Sequence, residues 1–342
     1  MNTNSLSSLQ PGDFPHYIWR PAVLEDAAAI QRLFLAGDAA DGTHRTDSIS
    51  DIEREFKDPD VDVEKDSLVA FTPDGEIAAL AWVYIFPTAE TKLQAYFWGG
   101  VHPQHRRQGL GSAILGWMEA RASAALLARP ENLPRVLRLH CNDFEHERSD
   151  FFTRHGYQAK RYFYEMRRDL GQPIPAPAMN GGLRLVEWTP ELDPFIFEAF
   201  NESFRDHWGF EPMTKAAWEL FMVGRESFLP TMSYAVLDGD QVAGFSINFL
   251  NEEENERKGI REAWVGDLGV RRPWRKRGIA TALLHRSMLD FKAAGLDYAS
   301  LGVDTENPTG ALGVYERVGF TPVKRSISFQ KPVERPPTAA AA

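Results

Sequence analysis

Cysteine is nearly missing: Cys141 is the single one in 342 residues. That excludes an intramolecular disulfide, a CxxC redox pair and a cysteine-built zinc site, and it suits a reducing, cytoplasmic compartment. Positive charge is also in deficit. The chain has 38 Lys and Arg against 48 Asp and Glu, for a formal net charge of −10. This is the wrong sign for a protein that neutralises nucleic-acid phosphates, so neutral or cationic partners are expected and nucleic acid is not. Long apolar runs are missing too. Nothing approaches the ~18 apolar residues of a membrane span, and the opening MNTNSLSSLQPGDF lacks the basic start and apolar stretch of a secretion signal. No membrane partner is expected. Metal-binding patterns are equally thin: His102 and His105 stand as H-x-x-H, and His140 and His146 flank one strand, but no carboxylates stand at ligand spacing, so no metal is expected.

What is present is ordinary globular usage, 43% hydrophobic and 25% charged, in a chain long enough for about two domains. The two domains are copies of one another. Val101-His-Pro-Gln-His-Arg-Arg-Gln-Gly-Leu-Gly111 matches Val270-Arg-Arg-Pro-Trp-Arg-Lys-Arg-Gly-Ile-Ala280, about half a chain length later. The beginnings at Ile18 and Leu183, and the endings FFTRHGYQAK from Phe151 and VYERVGFTPVK from Val314, repeat at a similar spacing. Between them LGQPIPAPAMNGG, with three prolines and a glycine pair, reads as a linker. The expected organisation is therefore a flexible start over 1–16, a first copy over 17–169, a linker over 170–182, a second copy over 183–331 and a flexible tail over 332–342.

Each copy reads as α+β. Leu68–Phe71 and Ile77–Tyr84 around Asp74-Gly75, and Tyr234–Leu237 and Val242–Phe249 around Asp238-Gly239, have the pattern of antiparallel hairpins. A strand ending at Val101 or Val270 runs into a helix with apolar residues at i, i+3, i+4 and i+7, such as Leu110, Ala113, Ile114 and Trp117. A buried strand follows, LRLHC to Cys141 or YASLGV before Asp304, then a short helix. Cys141 on that strand reads as core packing. The acidic stretch from Asn251 to Lys258 reads as a solvated hairpin loop.

A strand that ends in a basic, glycine-containing loop opening a helix is an anion site in physical terms, because unpaired N–H groups and the positive helix end meet there. Arg271, Arg272, Arg275, Lys276 and Arg277 would surround that point with mobile positive charge. Gly278 would let the backbone approach a ligand closely.

The pattern R-x-x-G-x-G/A after a strand, then a helix, then Asn307-Pro308 leading to Tyr315 and Gly319-Phe320, resembles the GNAT acetyltransferase superfamily. The resemblance implies two tandem GNAT-like domains, each a mixed, mostly antiparallel sheet flanked by helices. It also implies acetyl-CoA as co-substrate and transfer of its acetyl group to an amine. Leu268, Gly269, Val270, Arg275, Lys276, Arg277, Gly278, Ile279, Ala280 and Asn307 would then hold the coenzyme in the second copy. Val101, Arg106, Arg107, Gln108, Gly109 and Gly111 would do so in the first. Tyr315 stands where the superfamily keeps a tyrosine near the thiol, and is assigned as general acid, with a backbone N–H near Val270 for the developing oxyanion. Phe152 occupies that place in the first copy and cannot donate a proton, so the second copy is expected to be catalytic. The tandem arrangement, with Phe200-Asn-Glu-Ser-Phe-Arg-Asp-His-Trp-Gly209, is similar to the mycothiol synthase family. Where that family has a glutamate six residues before the strand-ending valine, this chain has Trp264. The base is left between Asp267, whose facing depends on a bulge, and Glu262. His207, Trp208 and Trp264 are expected to line the acceptor side, with the first copy shaping the cleft for a small-molecule amine. A non-catalytic acyl-CoA-binding regulator and a protein acetyltransferase are the alternatives, and the oligomeric state is not readable.

Overall fold

The structure, a computed structural model, describes residues 10–43, 48–179 and 181–334. Most of the two ends read as flexible, residues 1–9 and 335–342, lies outside the described residues, as does Asn180 of the linker. Contacts divide the chain into two units, residues 1–160 with 327–342, and residues 161–326.

In the first unit β1 (Ile18–Arg20) is followed by α1 (Ala27–Asp41), α2 (Ile49–Phe56), α3 (Val63–Asp66), β2 (Ser67–Phe71), β3 (Ile77–Ile85), β4 (Leu93–Val101), α4 (Leu110–Ala128), β5 (Arg135–Asn142) and α5 (His146–Arg154). Strands β1 to β4 are antiparallel neighbours in order, and β5 joins β4 in parallel. Residues Ile77 to Val83 are all buried, which is why β3 reads as a continuous apolar run and not as an alternating one: both faces of the strand are covered.

The second unit contains most of β6 (Gln158–Asp169), then β7 (Arg184–Glu187), α6 (Asp193–Phe204), α7 (Lys215–Trp218), β8 (Tyr234–Asp238), β9 (Gln241–Phe249), α8 (Glu252–Lys258), β10 (Glu262–Val270), α9 (Ile279–Ala293), β11 (Tyr298–Asp304), α10 (Ala311–Val318) and the start of β12 (Thr321–Pro332). Its sheet runs β7-β8-β9-β10-β11-β6, with β10 and β11 parallel and the other pairs antiparallel. The last strand of the first copy is thus part of the second unit, and Ile327 onward, beside β5, is part of the first.

Two apolar layers enclose this second sheet. Helix α6 packs Ile196, Ala199 and Phe200 against Phe245, Ile247 and Phe249. On the other face α9 packs Leu284, Met288 and Phe291 with Ala263, Val265, Leu301 and Tyr315. The stretch from Asn251, read as a loop, is instead helix α8. Asn251 caps it by accepting a hydrogen bond from the Glu254 amide, three glutamates fill the first turn, and Lys258 closes onto Glu254 in the last. Charge of each sign therefore sits at the helix end that favours it.

Candidate active site

The site forms where two parallel strands part. Strands β10 and β11 pair only from Glu262 with Tyr298 to Trp264 with Ser300. Beyond that point β10 follows β9 alone and β11 follows β6. A pocket of about 310 Å³ opens in the gap, lined by Val265, Gly266 and Leu268 of β10, Gly302 and Asp304 of β11, and Tyr315 of α10.

A bulge decides which way the strand's carboxylate points. Val265 lies opposite Asn248 and Asp267 opposite Ile247, so Gly266 is the extra residue. Cross-strand partners share a face. Trp264 faces with Phe249 and Asp267 with Ile247, both on the α6 side, whereas Val265 faces with Asn248, which donates to Ser287 of α9 at 2.8 Å. Strict alternation from Val265 would have turned Asp267 toward α9; the extra residue turns it back. Only glycine serves at position 266, because a β-carbon would sit 2.3 Å from the Phe249 ring.

Asp267 makes no hydrogen bond or ion pair to another described residue, and burial pushes its carboxyl up to about 6, partly opposed by Arg225. The residues on either side of it, Gly266 and Leu268, line the pocket; Asp267 itself does not. Tyr315 is buried, with its ring 6.2 Å from that of Phe320. Burial first, and then the charge of Asp267, pushes its hydroxyl up to about 12. Glu262 is placed differently. It is buried at the end of β10 that is still paired, where its Oε2 accepts from Arg167 Nε at 2.9 Å and Ser300 Oγ at 2.7 Å.

Of the three residues expected on the acceptor side, His207 and Trp208 line the pocket and Trp264 packs into the α6-side core. His207 Nε2 lies 3.4 Å from Asn307 Nδ2, and burial lowers the imidazole's pKa, so it is neutral at pH 7. Asn307 also lines the pocket, with its Oδ1 accepting from the Thr309 amide and hydroxyl at 2.8 and 2.6 Å. Asp304 and Gly302 were not singled out from sequence, although alternation along Tyr298–Asp304 would have placed them on one face. Phe163, a further lining residue, comes from the end of the other copy and has no such signal.

The loop after β10 is held by Arg275. Its Nε donates to the Val270 carbonyl at 3.1 Å, and its other nitrogens donate to Asp206 at 2.8 Å and to the Ser203 carbonyl at 3.2 Å. Arg106 does the same in the first unit, to the Val101 carbonyl at 3.1 Å and to both oxygens of Asp41. Backbone angles repeat as well: φ is 63° at Lys276 and 82° at Gly278, against 62° at Arg107 and 93° at Gly109. Among the described residues the amides of Lys276 through Ala280 meet no backbone acceptor, so a row of donors stands at the positive end of α9.

The expectation of mobile charge around this loop is corrected by the ion pairs. Arg271 binds Glu202, Arg272 and Arg275 bind Asp206, and Arg277 binds Asp238. Of the five basic residues Lys276 alone has no carboxylate partner among the described residues. Guanidinium forks match carboxylates well, and α6, the segment just after it and the end of β8 present them. Hydrogen bonds from Arg272 and Arg275 bring the Asp206 carboxyl down to about 2.

The first unit keeps the loop and loses the rest. Strand β4 leaves β5 after Tyr96, but the β3–β4 register is unbroken from Ala79 with Val101 to Ile85 with Ala95, so there is no bulge. The Tyr96 hydroxyl is hydrogen-bonded to His140 Nδ1 across the parting strands. Phe152, in the place of Tyr315, packs against Tyr157 and Phe329 at 6.3 and 5.5 Å. His105 is occupied by Tyr17 at 3.0 Å, and Cys141 is buried with its thiol pushed up to about 12.

Comparison with known proteins follows the same division. Residues 194–320 match the acetyltransferase (GNAT) family, and residues 64–159 match an acetyltransferase (GNAT) domain. The mycothiol acetyltransferase of Salinispora tropica is 27% identical over 310 residues, 89% of this chain and 93% of that one. The mycothiol acetyltransferase of Geodermatophilus obscurus is 24% identical over 313 residues, 89% and 94% of the two chains. Among solved structures, a GCN5-related N-acetyltransferase from Sphaerobacter thermophilus superposes with a TM-score of 0.71 at 27% identity, covering 96% of this chain and 98% of that one. A tandem GNAT protein from the clavulanic acid biosynthesis pathway shares the fold, with a TM-score of 0.66 at 18% identity over 94% and 99% of the chains. With two GNAT domains in tandem, and the same loop and parting strands in each unit, the chain belongs to the GNAT acetyltransferase superfamily.

Proposed function

We propose that the chain is an acetyl-CoA-dependent N-acetyltransferase. In this reading the copy over 183–331 transfers the acetyl group directly to the amine of a small molecule, and the copy over 17–169 does no chemistry. The observation that carries it is the bulge at Gly266: it turns Asp267 to the α6 face between two residues that line the pocket, while Tyr315, of the α9-side core, lines the pocket itself. The charge of Asp267 acts on the Tyr315 hydroxyl, so a proton acceptor and a proton donor stand near one reacting centre, as transfer between two partners requires. The first unit has neither the bulge nor the tyrosine.

The residues fit the coenzyme. Its pyrophosphate matches the free amides of Lys276–Ala280 at the helix end, where a β-carbon at Gly278 would open into empty space. Its extended arm matches the unpaired edge of β10 along Leu268, Gly269 and Val270. When bound, acetyl-CoA supplies an activated acyl carbon and a thiolate leaving group. Asp267, ionised above pH about 6, takes the proton from the acceptor nitrogen, directly or through water. As the N–C bond forms and the C–S bond breaks, the Tyr315 hydroxyl gives its proton to the departing sulfur; it makes no hydrogen bond to another described residue. Glu262, committed to Arg167 and Ser300, is assigned to holding β10, β11 and β6 together. The first-copy loop at Val101, Arg106–Gly109 and Gly111 has the same backbone form and is proposed as a second coenzyme site. Cytoplasmic location rests on the cysteine usage; no helix among the described residues is long and apolar enough to cross a membrane.

The test is free-thiol release from acetyl-CoA across a panel of amines, beside calorimetry. One thiol per acetylated amine supports the reading. Tight coenzyme binding with no release for any amine overturns it in favour of a regulatory protein. A related expectation concerns Asp206. Asp206→Asn removes the ion pairs of Arg272 and Arg275 and loosens the loop, so the KM for acetyl-CoA should rise about three- to tenfold, equivalent to about 1 kcal/mol, with kcat little changed. A fall in kcat at constant KM would place Asp206 in the chemistry instead.

A further inference from the structure

Resting on that reading, we infer that the acceptor is a primary arylalkylamine: a flat aromatic group on a short chain carrying the reacting amine. The wall of the pocket formed by the end of α6 and the segment after it is aromatic, with Phe204, Trp208 and Phe210, and Phe163 of β6 completes it. Trp208 is fixed in place. The Arg161 guanidinium lies 5.5 Å above its ring and is itself held by Asp304 at 3.3 Å and Glu306 at 2.5 Å, while Phe163 packs at 6.4 Å. A ring held this way is preorganised for stacking and gives up little freedom on binding. On β11, Gly302 of the same lining leaves a slot. A β-carbon there would meet no heavy atom within 4 Å, and its φ is not of the kind that requires glycine.

The polar groups exclude the other small-amine classes. Asp304, the one carboxylate among the lining residues, is committed to Arg161 and to the Glu306 amide at 2.9 Å. Asn307 Oδ1 is taken by Thr309, and His207 is neutral. An amino sugar would leave hydroxyls buried without partners, at a cost to its binding. A polyamine would have to desolvate a second ammonium against phenyl rings. An amino acid would bring its carboxylate beside Asp304, whose partner Arg161 is already matched by two carboxylates.

The experiment measures kcat/KM by thiol release with the full chain for 2-phenylethylamine, ethylamine, phenylalanine, spermidine and glucosamine. Burying and stacking one ring predicts 2-phenylethylamine ahead of every other amine by at least about tenfold. Trp208→Ala should shrink that lead below about threefold through the KM for amine, and Trp208→Phe should restore most of it. A lead for spermidine, glucosamine or phenylalanine overturns this inference and leaves the acetyltransferase reading standing. Silence with every amine removes the acetyltransferase reading instead. The pocket is then read by calorimetry with 2-phenylethylamine: binding that Trp208→Ala weakens sustains the inference, and no binding ends it.

Discussion

Replacing Tyr315 by phenylalanine should lower turnover of acetyl-CoA with an amine about 10²- to 10⁴-fold, the usual range for loss of a general acid, while acetyl-CoA still binds. The ring is buried among Val265, Leu301 and Phe320, and phenylalanine fills the same space, so the fold has no cavity to absorb. The hydroxyl bonds to no described residue, so no buried partner is orphaned by its loss. A fall in kcat with unchanged affinity, measured by thiol release and calorimetry, separates proton donation from packing. The first copy already carries the change, since Phe152 packs in the equivalent place without a hydroxyl. Unchanged turnover in Tyr315→Phe would remove this residue from the mechanism.

Asp267→Asn should have two effects of opposite sign. Activity should fall about 10²-fold or more, because the base is gone. Stability at neutral pH should rise. The carboxyl sits at about 6 in the folded chain against an ordinary 3.8, so the native state holds this proton more tightly than the unfolded chain does. Its cost to stability is absent below pH about 3.8, grows as pH rises toward about 6, and is constant above; in full it amounts to about 3 kcal/mol. The variant should therefore unfold at higher denaturant than wild type at pH 7.5, and the two should converge near pH 4. In the wild type, kcat/KM should fall about tenfold per pH unit below about 6. A profile flat from pH 5 to 8 would contradict Asp267 as base.

Most of the frame was legible because it depends on local pattern. The hairpins around Asp74-Gly75 and Asp238-Gly239 and the strand-loop-helix at each arginine-glycine segment appear where alternation and helical spacing place them. What escaped depends on partners distant in the chain. The bulge rests on Gly266 giving way to the ring of Phe249, a neighbour on another strand. Arg271, Arg272, Arg275 and Arg277 look like a free basic cluster until α6, the segment just after it and the end of β8 supply their carboxylates. The endings Gly156-Tyr157 and Gly319-Phe320 are alike, so nothing in them says which unit each final strand completes; for that reason Phe163 could not be assigned to the second unit's pocket. Trp264 is expected on the acceptor side, but it shares a face with Phe249, a partner on another strand, and that face is core.

The most direct test of the central claim, that the second copy performs the transfer, is acetyl-CoA turnover in Gly278→Val. Valine is strained at a φ of 82° and projects a side chain into the space left for an anion. The account predicts that thiol release with the preferred amine is lost, together with coenzyme binding at the second copy, in a chain whose thermal unfolding remains cooperative. Turnover at the wild-type rate in that variant would place the chemistry elsewhere in the chain and contradict the account.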